Sequence, residues 1–445
     1  MKARSFRASF ILGAALALST HGSRAQGIQV ERAHTFIVGS PSASFREDRA
    51  DASRSGLSRT TLPTGTLRTL WSIPLKTRIQ QAPVVDEQGA VYVVDGSGEV
   101  ESIAIDGAVR WRVDTGATGP GPLALLADGT LLFVDSSGRV FAVREGSVRW
   151  TVALGTRSRV SSALALEDGG GVVSSGALII VFDVEGGVRA RTAIPGSIVA
   201  PLVASSGRIF AVDGAVVWSW RPGPALPERV GSFGEITDAV AAFGRSLVAV
   251  ANSARRVLAL DVTTGQAATI AEAGPGELLL GPIALGSLTP DRNVAPLAFV
   301  STPSGDSLVM LGLERRDQAR TLLVGRTPSL LSDGGIAPAP AEAHTPLLVD
   351  ASGTVVFATT AGDVGVVSRG TVDLSSDVCN PHRSTPTDRA TGGDERAVPA
   401  VVGLAPIRPG ALVATCRSGT VVALEGRGGS PKEGSVGGKD DTPNL

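Results

Sequence analysis

Cys379 and Cys416 are the only two thiols in the chain, and three of its four histidines, His34, His344 and His382, lie beyond the first 25 residues. Residues of these types could close a disulfide, hold zinc, or run an acid–base relay. A structural zinc site takes four ligands, and Cys379, His382 and Cys416 supply three with no fourth apparent. A relay needs a nucleophile, a base and an orienting group, and no G-x-S-x-G elbow supplies the serine. His344, between Ala343 and Thr345, reads as a surface-loop residue. No catalytic residue, metal site or cofactor is expected.

Other candidates resolve in the same way. Asp95–Glu99, Asp135–Gly138 and Asp350–Gly353 combine acids and glycines, but none has the ligand order of a calcium loop. They read as hairpin turns, where Asp and Gly tolerate positive φ. Trp218 and Trp220 alternate along one strand and share a face, so packing is preferred over a sugar platform. Gly438-Lys439 has no preceding strand or following helix, as a phosphate loop requires. Arginines remain: Arg78, Arg157, Arg159, Arg383, Arg389 and Arg396 fall in loops leading into one class of strand. With His344 and His382 they form a candidate partner-binding rim.

The elements that position these residues repeat. Trp71, Trp111 and Trp150 lie 40 and 39 residues apart, each in a short alternating stretch. Between them recur an apolar run, a glycine, a strand, a second glycine and another strand. Period-2 alternation broken by Gly, Asp and Ser marks antiparallel hairpins. Inner strands are expected at Pro83–Val85, Pro122–Leu123, Ser162–Leu166, Ala200–Val203, Ala239–Phe243, Pro282–Leu285, Pro346–Val349 and Val398–Val402. Four short strands per ~40 residues describe an all-β propeller. The count is eight four-stranded blades, with seven left open because the fifth and sixth units are the most degenerate. The last unit ends after Thr420–Leu424, and Arg68–Leu75 is expected to supply its missing outer strand and close the ring. In that ring Cys379 and Cys416 fall on one face, and in an exported chain they are expected to pair.

The stretch Val257-Leu258-Ala259-Leu260-Asp261 with Thr264-Gly265, the strand Gly138–Val143 and the tryptophan at Trp150 resemble the pyrroloquinoline-quinone (PQQ) repeat family of propellers. Ser44–Ser58 resembles the leader that often precedes the first blade. The resemblance covers residues 44–425. It implies one of two branches: quinone-dependent dehydrogenases, or non-catalytic propellers such as the outer-membrane assembly scaffold. The dehydrogenase branch often carries adjacent cysteines and acidic or amide calcium ligands. Here the cysteines are far apart, and Asn252, Asn293, Asn380 and Asn444 sit in no recognisable metal site.

Composition fits this reading. The chain has 55 glycines, 27 prolines and 4% aromatic residues among 43% hydrophobic ones, which suits turn-rich strands. With 41 basic and 42 acidic residues it carries no electrostatic footprint for nucleic acid. Lys2, Arg4 and Arg7, the apolar run Ala8–Leu18 and the small residues Ser23 and Ala25 describe a signal peptide cut after Ala25. The expected organisation is 1–25 signal peptide, 26–67 leader, 68–427 propeller and 428–445 disordered Gly-rich tail. The expected protein is exported to the periplasm or outside the cell, without a transmembrane segment. Its expected role is a non-enzymatic scaffold for a protein or peptide in the bacterial envelope. The alternatives are a divergent quinoprotein dehydrogenase and a small-ligand propeller, both using the central funnel.

Overall fold

Short apolar runs bounded by glycine turns become strands, and no helix occurs among the described residues. The computed structural model describes residues 54–427 apart from 157–160, 167, 238–239, 244, 252, 277, 287–294, 303–304, 311–321, 324–346, 359–361, 369–370, 376–377 and 380–400. The expected tail 428–445 and the segment 1–53 lie outside the described residues.

Two strands come first, β1 (Leu57–Ser58) and β2 (Leu67–Pro74). The first sheet holds β3 (Val84–Val85), β4 (Val91–Val94), β5 (Glu99–Ile103) and β6 (Val109–Asp114). The second holds β7 (Ala124–Leu125), β8 (Leu131–Val134), β9 (Arg139–Arg144) and β10 (Ser147–Ala153). The third holds β11 (Ser161–Ala165), β12 (Gly171–Ser175), β13 (Leu178–Phe182) and β14 (Val188–Ala193). The fourth holds β15 (Val203–Ser205), β16 (Arg208–Asp213), β17 (Val216–Trp220) and β18 (Glu228–Ser232). The fifth holds β19 (Val240–Phe243), β20 (Ser246–Val250), β21 (Arg256–Asp261) and β22 (Ala267–Glu272). The sixth holds β23 (Leu278–Gly286), β24 (Ala295–Thr302), β25 (Gly305–Met310) and β26 (Leu322–Leu323). Then come β27 (Leu347–Asp350), β28 (Val355–Ala358), β29 (Val364–Ser368) and β30 (Thr371–Ser375), joined by β1 into a five-stranded sheet. The closing sheet is β31 (Val401–Arg408), β32 (Ala411–Cys416), β33 (Thr420–Gly426) and β2.

Each sheet packs on its neighbour in the chain, and β31 of the last packs on β3 of the first, which makes a β-propeller. Seven blades are four-stranded. The expectation of eight four-stranded blades is not supported: the remaining sheet, β27–β30, has five strands because β1 pairs with β27 in parallel.

Blade packing explains why the middle strands are apolar on both faces along most of their length rather than alternating. Leu131 and Phe133 of β8 pack towards the first sheet, whereas Leu132 and Val134 pack towards the third. A strand buried on both faces has no solvent side to mark with polar residues.

Ring closure follows the expected pairing with a one-residue shift. β2 runs antiparallel to β33 from Leu67 opposite Gly426 to Pro74 opposite Thr420. Glu425 of β33 accepts hydrogen bonds from Arg68 of β2 and Arg408 of β31, the second at 2.8 Å. Leu70, Trp71, Ile73 and Leu75 pack half-buried on a core shared by the closing, first and five-stranded sheets. The Trp71 indole N–H donates to the Ile105 carbonyl at 2.9 Å, in the last turn of the next blade. Trp150 repeats this with Val184 at 3.1 Å. Each ring lies against a positive-φ glycine, Gly107 or Gly186, where an added Cβ would stand 2.8 or 2.7 Å from the indole. This latch is why tryptophan and glycine recur at a fixed spacing.

Outer strands also share an irregularity. Register shifts fall near the start of β2, β6, β10 and β14, at the middle of β18 and in the second half of β22. Bulges of this kind twist an exposed edge away from pairing with another chain.

Candidate functional site at the ring axis and loop face

The first strand of each sheet runs away from the face that carries the sheet-to-sheet loops. Because β1 is parallel to β27, the chain at residues 54–58 descends from that face into the ring. Arg54 is 2% exposed, donating from Nε to the Leu202 carbonyl at 2.9 Å and from Nη2 to Ser162 Oγ at 3.1 Å. Those partners sit at the first strands of the third and fourth sheets. Two residues later, a Cβ on Gly56 would stand 2.8 Å from the Leu347 carbonyl oxygen and 3.0 Å from Ala284 Cβ. Those neighbours belong to the sixth and five-stranded sheets. Leu57 and Ser58 then pair with Val349 and Asp350, and the Val349 N–H donates to the Gly56 carbonyl at 3.0 Å. The segment therefore lies among inner strands from opposite sides of the ring, at its axis. Leu62, 1% exposed, completes the passage; its N–H donates to Asp350 Oδ2 at 2.8 Å.

The aspartate–glycine clusters are turns, as read from the sequence, and they also do more. Asp95 and Asp135 are each 1% exposed. Oδ1 of each accepts hydrogen bonds inside its own turn, from the N–H and hydroxyl of Ser97 or Ser137. Oδ2 reaches back to the loop from the preceding blade, accepting the N–H of Thr77 at 2.9 Å or of Thr118 at 3.2 Å. Burial works to raise both carboxyls, but the hydrogen bonds outweigh it and hold both below the ordinary value. They are stitches for the loop-bearing face, not ligands with free valence.

Glu101 behaves in the opposite way. It is 2% exposed and sits on β5 opposite Val93, on the side packed against the closing sheet. Arg112 Nε donates to its Oε1 at 2.9 Å, while Oε2 has no partner among the described residues. Burial raises its pKa; Arg112 opposes the shift, and Glu99 and Asp95 add to it. Tyr92, the one tyrosine, donates its hydroxyl to Asp86 Oδ2 at 2.8 Å, and burial with that bond raises its pKa to about 12. Neither group lies at the axis.

The disulfide is present. Cys379 follows β30 and Cys416 ends β32, with Cα atoms 5.5 Å apart at a sequence separation of 37. It ties the five-stranded sheet to the closing sheet on the loop-bearing face. Trp218 and Trp220 both pack into the core between the third and fourth sheets, Trp220 at 2% exposure with its indole N–H on the Ala225 carbonyl at 2.9 Å. Arg78 is exposed on the loop-bearing face, where its carbonyl accepts the Gly96 N–H at 2.7 Å. Arg157, Arg159, His344, His382, Arg383, Arg389 and Arg396 lie outside the described residues. No cluster of His, Cys, Asp and Glu suited to a metal occurs among the described residues. Sequence reading missed the axial segment. Arg54-Ser55-Gly56 has no alternation, and nothing local announces that Leu57 pairs with Val349.

Fold, repeat and latch together define a β-propeller, and its repeats are similar to those of the PQQ type. The family model described as outer membrane protein assembly factor BamB matches residues 60–174 and 100–277. No curated protein sequence matches the chain. Among solved structures, BamB from Moraxella catarrhalis is similar at 17% identity and TM-score 0.51, over 82% of this chain and 99% of that one. Quinohemoprotein alcohol dehydrogenase from Comamonas testosteroni is similar at 12% identity and TM-score 0.58, over 88% and 82%. The computationally designed Ika8 protein is similar at 16% identity and TM-score 0.55, over 80% and 99%. At these identities the likeness is one of fold. No helix among the described residues is long and apolar enough to cross a membrane.

Proposed function

We propose that this chain is an exported, non-enzymatic propeller that presents its loop-bearing face to a protein or peptide partner in the bacterial envelope. The observation that carries the reading is the filled axis. A dehydrogenase or small-ligand propeller using the central funnel would place its ligand among the inner strands, where Arg54–Ser58 lies. The family model's description as an assembly factor supports the same direction. In this reading Arg78, Arg157, Arg159, His344, His382, Arg383, Arg389 and Arg396 form the rim, on the face braced by the Cys379–Cys416 bond. Export follows from the charged start, the short apolar run and the cut after Ala25, with 26–67 as leader and 68–427 as propeller.

The five-stranded sheet counts as a further blade in this proposal, since β27–β30 repeat the order of the other blades and β1 is an addition to the inner edge. That reading gives eight blades.

The test has two arms. Mature protein mixed with pyrroloquinoline quinone and calcium is expected to show neither saturable binding nor dye-linked alcohol oxidation; turnover overturns the scaffold reading. A photo-crosslinking residue at Arg78 or Arg383 is expected to capture a partner from envelope extracts, and one at Val188 on the perimeter is not. Capture at Val188 alone would move the partner site off the loop-bearing face.

A further inference from the structure

The axial segment makes three kinds of contact that together resemble the reading of a ligand. Its arginine enters a polar socket built by two neighbouring sheets, the Leu202 carbonyl and Ser162 Oγ. Its glycine sits at φ +67, pressed against the Leu347 carbonyl oxygen and Ala284, so any larger residue is refused by both conformation and space. Its next residues add as a strand to β27, and Asp350 Oδ2 then takes the Leu62 N–H. A charged anchor, a small-residue filter and strand addition are how extended peptides are recognised by sheets elsewhere.

We propose that the axis of this ring is a binding site for an extended peptide of the form Arg-x-Gly followed by a short strand, filled here in cis by residues 54–62. Specificity comes from the socket and the filter, while the strand contacts contribute affinity without regard to side chain. Occupancy in cis follows from tethering. Residue 62 is joined to β2 by a few residues, so the segment is held near its site at a high effective concentration. The site is separate from the loop-bearing rim, and its occupant is chemically defined whatever partner that rim takes.

The experiment supplies the segment in trans. A variant lacking residues 26–62 retains β2, and the probe is a fluorescein-labelled synthetic peptide of residues 51–63. Saturable binding is expected, with a rise in the melting temperature of the truncated ring as the peptide is added. A peptide carrying Arg54→Ala should bind at least about tenfold more weakly, the loss of hydrogen bonds to a charged group. A peptide carrying Gly56→Val should lose at least as much. Absence of binding to a folded truncated ring, or equal affinity for all three peptides, overturns the proposal. Should the truncated ring fail to fold, full-length Arg54→Ala and Gly56→Val are read by limited proteolysis within 54–62, located by mass spectrometry. Cleavage at least about tenfold faster than wild type, with intact β2–β33 pairing, is expected; a wild-type rate overturns the proposal. A failed partner capture at Arg78 leaves these results unaffected, so the two readings fail separately.

Discussion

Replacing Trp71 by alanine removes a contact that the ring uses where its two ends meet. The indole is half-buried on the closing core, lies against Gly107 and donates to the Ile105 carbonyl at 2.9 Å. Truncating a fully buried tryptophan costs about 3–5 kcal/mol, and half-burial brings this to roughly 2 kcal/mol. The lost hydrogen bond adds about 1 kcal/mol, because water reaches the carbonyl left behind. The expected total for Trp71→Ala is about 3 kcal/mol. Trp71→Phe keeps a ring against Gly107 without the N–H and should cost about 1–1.5 kcal/mol. Urea unfolding followed by far-ultraviolet circular dichroism measures both, compared at an unchanged m-value so that the midpoint shift reports stability. Trp150→Ala, with its bond to Val184 at 3.1 Å, should cost a similar amount within the ring. A loss below about 0.5 kcal/mol for Trp71→Ala would refute the latch as a source of closure energy. Equal losses for alanine and phenylalanine would refute the division between packing and hydrogen bond.

The remaining predictions concern charge and covalent closure. Reducing the Cys379–Cys416 bond, or replacing both cysteines with serine, should lower stability by up to about 4 kcal/mol for a loop of this length, measured by calorimetry with and without reductant. Tyr92 should titrate at about 12 by ultraviolet absorbance in the folded protein. A folded value above the ordinary tyrosine value of 10.0 makes its contribution full below pH 10 and lost as pH rises towards about 12. Asp86→Asn should bring the titration down, because the Asp86 hydrogen bond and charge both help to raise it. Asp95 and Asp135 are held below the ordinary aspartate value of 3.8, so their contribution is present above that value and lost as pH falls through the lowered one. Asp135→Asn should cost about 1–3 kcal/mol at neutral pH and make the acid limb of a stability–pH curve shallower; an unchanged limb would show that the stitch contributes nothing.

Legibility in the sequence followed the physics of each element. Hairpins were readable because their signals are local, as in Asp135-Ser136-Ser137-Gly138, where the acid, the hydroxyl and the positive-φ glycine all belong to one turn. Closure by the strand at Arg68–Leu75 was readable for a different reason: the final unit lacks a strand, and Trp71 carries the outer-strand pattern. The shift to Leu67–Pro74 reflects a bulge between Thr69 and Trp71, which leaves no mark in hydropathy. The cysteine pairing depended on topology, which places Cys379 and Cys416 on one face although they lie 37 positions apart in sequence. The axial segment was not legible. Arg54 reads as one more polar residue of a leader, and its burial arises only from sheets far along the chain. The second function of Asp95 and Asp135 was hidden likewise, since a carboxylate turned towards Thr77 or Thr118 looks in sequence like any turn aspartate.

Closure between β2 and β33 has a consequence for how the ring is made. Leu67 must wait for Gly426, and Leu57 for Val349, so both early strands stay unpaired while most of the chain is synthesised. Contacts that span such distances are slow to form, because the entropy of a long loop is lost before the contacts repay it. Adjacent blades can assemble as hairpins emerge, but the order of events at the seam is set. The segment carrying Arg54 settles among the inner strands before or as the ring shuts around it, since drawing a long tethered chain through a finished ring would mean threading, whereas a short free peptide can enter from either end. The late step is therefore a joint one: axis filled, outer strand zipped, last blade docked. A chain stalled before residue 420 would display a ladder of hairpins with two free edges, the form in which this fold is most exposed to aggregation.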